Sequence, residues 1–138
     1  MASKFQYSTA IRNAQADQVE AVPGPSPILR VYDGTMPANC AAPLSGNTLL
    51  AEGTLLADWL SPASNGVKSK YGSWEMTGQA GAGSGKLGTF FRLYDSTGAT
   101  CHIQGTFGYM CEMVPDNPNI AVGQTVNIHA LEITRGCA

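Results

Sequence analysis

The sequence predicts an all-β domain, an antiparallel β-sandwich or jelly-roll of about eight short strands, entered through a short N-terminal helix and arm. Three observations carry that expectation. Short apolar, β-branched and aromatic runs recur with turn signals about every 8–12 residues. Turn chemistry separates them, as in Asp33-Gly34, Asn65-Gly66 and Asp95-Ser96-Thr97-Gly98. Helical spacing occurs once, near the N-terminus, and no strand–helix alternation follows it.

Taken in order, Ser8 or Thr9 caps a helix whose apolar positions are Ile11, Ala14, Val19 and Val22. The run Pro23-Gly24-Pro25-Ser26-Pro27 ends it and reads as a semi-rigid hinge. Residues 1–27 are thus expected to form a separable arm and residues 28–138 the β-domain. Ile28–Tyr32 is the first strand. A loop follows from Thr35 to Gly46, and Leu49–Leu56 is the second strand, with Gly53 suggesting a bulge. Asp58–Pro62 is a short apolar turn. Asn65-Gly66 is the strongest hairpin signal and leads into Val67–Tyr71, then Ser73–Thr77. Gly78–Gly88 is a small-residue loop. Thr89–Tyr94, Thr100–Phe107 and Tyr109–Val114 are expected strands, with Pro115–Asn119 a loop. The last strand, Thr125–Thr134, alternates until a slip at Leu131-Glu132-Ile133 that suggests a bulge.

Composition bounds the function. Charged residues make up 13% of the 138 positions, about half the usual share of roughly 25%. The net charge is −2, and no Lys/Arg cluster exists, so nucleic-acid binding by phosphate neutralisation is not expected. With 43% hydrophobic residues the chain can build a core without staples. The charge-poor surface suggests that much of it lies against another protein. The N-terminal stretch has no apolar signal core and no run approaches a membrane span, so the chain is expected to be made in the cytoplasm and to have no membrane partner.

Motifs for chemistry are weak. Gly83-Ser84-Gly85-Lys86-Leu87-Gly88 spells GxGxxG but opens a strand, where a dinucleotide site needs a helix. Carboxylates are scattered singly, and the two histidines and four cysteines show no metal spacing. No enzyme activity, cofactor or metal site is expected. Cys40, Cys101, Cys111 and Cys137 are expected to be reduced thiols, with one late disulfide a minor alternative. Arg30–Thr35 echoes Arg92–Thr97; Asp33 and Asp95 are read as turn caps, not a catalytic pair. Phe90, Phe91 and Tyr94 read as core. Trp59, Tyr71, Trp74 and Tyr109 lie near turns or in polar strands, where aromatics close a sandwich or form an interface.

The segments Ile28–Thr35 with Pro37-Ala38-Asn39, Gly46–Ala51, Phe91–Gly98, Gly105, Gly123–Val126 and Leu131–Thr134 resemble a family of small structural proteins of tailed bacteriophages. The segment around Ser8–Gln15 fits as well. This chain carries longer Pro-rich and Cys-bearing stretches than that pattern. The resemblance implies a head decoration, or cement, protein on the outer surface of the virion head. Its partners would be the major capsid protein and itself, as a homotrimer. Phe5, Tyr7, Ile11, Trp59, Trp74 and Tyr109 are the expected interface residues. A rival expectation is a tail- or fibre-associated module that binds host glycans by stacking on Trp59, Trp74 and Tyr109.

Overall fold

A computed structural model describes residues 5–134. The first element is the helix α1 (Thr9–Ala21), and Ser8 caps it with an extended backbone, its hydroxyl accepting the Ile11 amide at 3.2 Å. Ten strands follow: β1 (Ile28–Tyr32), β2 (Leu49–Thr54), β3 (Val67–Ser69), β4 (Glu75–Gly78), β5 (Lys86–Leu87), β6 (Phe90–Tyr94), β7 (Cys101–Thr106), β8 (Met113–Pro115), β9 (Asn119–Ile120) and β10 (Thr125–Thr134). The chain is mostly β, as its short runs and turns predict.

The strands form one curled antiparallel sheet in the order β3-β10-β4-β2-β1-β6-β7, with β8 also paired to β10. A separate two-stranded ribbon joins β5 to β9. The curl brings the ends of the sheet together: an isolated bridge links Phe107, just beyond β7, to Met113 in β8, and the Gly108 amide donates to the Met113 carbonyl at 3.1 Å. β10 is the hub, pairing in turn with β4, β8 and β3.

The Asn65-Gly66 hairpin forms as its sequence predicts. Both residues take positive φ, and Ser64 and Val67 exchange both backbone hydrogen bonds. Other local expectations are corrected. Gly53 is no bulge: it stays in register with Leu29, and a side chain there would strike the Glu75 carbonyl. The β1–β2 bulge lies instead between Val31 and Tyr32. In β10 the irregularity falls between Ile128 and Ala130, leaving His129 and Ala130 both exposed, ahead of the expected slip at Leu131. Tyr109–Glu112 is a turn with Met110 at φ 62°, so that strand begins only at Met113.

The inner face of the curl holds the main core, with Leu29, Val31, Leu50, Trp59, Trp74, Met76, Phe91, Leu93, Met113, Val126 and Ile128 in one buried cluster. β6 is buried on both faces. Its outer residues Phe90 and Tyr94 join Tyr32 in a second cluster, covered by Met36 and Leu44 from the loop 33–48. Arg92, buried among them, fixes that loop by donating from Nη2 to the Asn39 and Ala42 carbonyls at 3.1 and 2.8 Å.

The helix is docked on the sheet. Ala16 is fully buried and Val19 packs on the main core. Lys68 of β3, itself buried, donates to Asp17 at 3.0 Å and Glu20 at 2.8 Å. The other Glu20 oxygen accepts the amides of Trp59 and Leu60, and Trp59 Nε1 donates to the Gly24 carbonyl at 3.1 Å.

Candidate functional site

The expected interface residues divide sharply. Trp59 and Trp74 are 0% and 1% exposed. Their rings lie 5.9 Å apart, and Trp74 Nε1 donates to the Trp59 carbonyl at 3.0 Å. Both are core residues, because each indole finds an internal acceptor and its ring fills the curl. Neither can serve as an exposed platform. Phe5 and Tyr109 are 67% and 63% exposed, Ile11 is exposed, and Tyr7 is half-buried in an edge-on contact with Phe5.

One end of the sheet gathers exposed apolar groups. Tyr109 Oη donates to the Asp116 carbonyl, and the Gly88 amide donates to the Pro118 carbonyl at 2.9 Å. Those bonds bring the 109–112 turn, the 116–118 loop and β5 to one place, where Leu87, Tyr109 and the fully exposed Met110 face solvent. The turn is held by Thr106 and Glu112, whose side chains hydrogen-bond. That bond draws the Glu112 carboxyl below its usual range. Sequence reasoning found Tyr109 but missed Met110 and Leu87, since isolated apolar residues carry no periodic signal.

Phe5, Ile11 and Val22 are also exposed, the first ahead of α1, the second in its first turn and the third at its C-terminal end. A shallow groove of about 270 Å³ runs between the helix and β7, lined by Gln18, Val19, Val22, His102 and Ile103. Among the described residues no three His, Cys, Asp or Glu side chains come together as a metal set. No helix among them is long and apolar enough to cross a membrane.

The internal echo has a structural meaning. Arg30 and Arg92 are register partners on β1 and β6, as are Tyr32 with Phe90 and Ile28 with Tyr94. Arg30 is neutralised by Glu52 at 2.6 Å and sits 4.7 Å over the Tyr94 ring. Because the strands are antiparallel, Asp33 and Asp95 leave opposite ends. Asp33 accepts the Thr48 amide at 2.6 Å, and Asp95 accepts those of Thr97 and Ala99. The glycine-rich segment likewise leads into no helix: a 3₁₀ turn at Ala80–Ala82 precedes β5, which pairs with β9.

Two clusters were not foreseen. One is the Lys68 site under α1, where burial would push Glu20 up but the Lys68 hydrogen bond and the Leu60 amide hold it below the usual 4.5. Its only sequence signal is the i, i+3 spacing of Asp17 and Glu20. The other lies under the loop 33–48, where Cys101 packs with Met36 and Leu44 and Arg92 holds the loop carbonyls that flank Cys40. Residue Cys137 lies outside the described residues.

A scan against protein-family models and searches of curated proteins and of solved structures found no match.

Proposed function

We propose that this chain is a non-enzymatic bacteriophage virion protein that decorates the head and bridges major capsid protein subunits. The observation that carries the reading is the low charge of the chain together with exposed large apolar side chains: Phe5, Ile11 and Val22 by the helix, and Leu87, Tyr109 and Met110 at one sheet end. Apolar anchors ringed by small polar residues are the chemistry of a protein interface. Two such regions on one small body allow a bridge, and repetition over a shell turns weak contacts into strong retention. The phage-like turn and strand motifs support the same reading. We carry the sandwich or jelly-roll description and a homotrimer as parts of this proposal. The glycan-binding alternative loses its main support with the burial of Trp59 and Trp74.

The test is quantitative mass spectrometry of purified virions, with co-sedimentation of the chain on heads built from the cognate major capsid protein. Hundreds of copies per particle and saturable sedimentation are expected. A dozen copies or fewer, or no sedimentation, refutes the assignment.

A further inference from the structure

We propose that Cys40 and Cys101 join in a disulfide when the folded chain meets a disulfide oxidant, clamping the loop 33–48 covalently onto the outer face of the sheet. The two residues lie 61 positions apart. Three side-chain bonds pin the loop that carries Cys40 to the strands beside Cys101. Arg92 Nη2 holds the Asn39 and Ala42 carbonyls, on either side of Cys40. Gln104 Nε2 holds the Pro37 carbonyl at 2.8 Å, and Gln104 in turn accepts from Arg92 Nε at 3.1 Å. Cys101 opens β7 opposite Tyr94 and packs into the outer apolar cluster with Met36 and Leu44 from the same loop. Cys40 is thus held beside the strand that carries Cys101, where a local backbone adjustment can bring the two sulfurs to bonding distance. Cys111 is elsewhere, in the 109–112 turn with its thiol on the Tyr109 carbonyl.

The order of events follows from the environment. Burial, then the contact with Cys40, pushes the Cys101 thiol up to about 12, so it stays protonated at neutral pH. Attack on the external disulfide therefore starts at Cys40. Cys40 takes one sulfur of a disulfide such as oxidised glutathione and expels the other as thiolate. Cys101 then gives up its proton, attacks the Cys40 sulfur and displaces the second glutathione thiol. One external disulfide is reduced to two thiols, and two protein thiols become one disulfide. A chain folded in a reducing compartment would close this clamp only after release from it. The inference is read on the isolated chain and does not depend on the capsid assignment.

The experiment equilibrates the full, reduced chain with oxidised glutathione at neutral pH, traps free thiols with N-ethylmaleimide and maps peptides by mass spectrometry. Two of the four thiols should disappear, in a linked Cys40–Cys101 peptide pair, and the Tm should rise on the order of 10 °C. Cys111→Ser should leave the link intact. Cys40→Ser and Cys101→Ser should each abolish it. Four trapped thiols after oxidation, a link through Cys111 or Cys137, or a Cys40–Cys101 link that forms only in urea would each overturn the proposal. Should either Ser variant fail to fold, the wild-type peptide map alone decides.

Discussion

Replacing Glu20 tests how the helix is held. Glu20 does two jobs at once: one oxygen pairs with buried Lys68, and the other accepts the Trp59 and Leu60 amides. Glu20→Ala removes both. Each orphaned amide costs on the order of 1 kcal/mol. Lys68 keeps Asp17, which is more than half exposed, so the loss at the ion pair is taken below the usual range, at about 2 kcal/mol. The expected destabilisation is about 4 kcal/mol, read as a Tm fall of roughly 15 °C and a lower urea midpoint. Glu20→Gln keeps an acceptor for the amides and should cost about half as much. The sign with pH follows. Glu20 titrates lower in the folded chain than in the unfolded one, so its contribution is present above the unfolded value and fades as pH falls through the folded value. The acid side of the stability curve should therefore be shallower in Glu20→Ala. A loss under about 1 kcal/mol, with that slope unchanged, would show that the helix does not depend on this site.

Deleting residues 1–27 should cost more than Glu20→Ala, because it also uncovers Trp59 and removes the Gly24 acceptor; an unchanged cooperative urea transition would show that the arm is separable from the β-domain. Trp74→Ala should destabilise by about 3–5 kcal/mol through a core cavity, whereas Tyr109→Ala should stay within about 0.5 kcal/mol; both are measured by urea unfolding, and the reverse ranking would contradict their burial. Gly53→Ala should lower the Tm strongly, since the new methyl meets the Glu75 carbonyl across β2 and β4; calorimetry showing no change would mean that the strands separate freely there.

What the sequence made legible was local. Ser8, the Pro23–Pro27 run and Asn65-Gly66 act on neighbouring backbone, so their effects do not wait on the rest of the fold. The alternation of β10 was readable up to His129, where a second partner strand shifts the register. The tryptophans were misplaced because a turn location says nothing about which side of a curled sheet the ring enters. Lys68 carried no warning either: a lysine in a short strand is ordinarily solvated, and only the arrival of α1 from about 50 residues away supplies its carboxylates. The loop that carries Cys40 reaches the sheet for a similar reason, through Arg92, whose partners are loop carbonyls that no pattern marks. The apolar sheet end was half legible, through Tyr109 alone.

The bridge from Phe107 to Met113 has a consequence for how copies of this chain tolerate one another. Sheets recruit neighbours through unpaired backbone at their borders. Here the curl ties one border to β8, and α1 runs alongside what remains of β7. With a net charge of only −2, electrostatic repulsion does little to keep crowded copies apart. The geometry takes over that task. At this border it withholds part of the template for strand-on-strand growth.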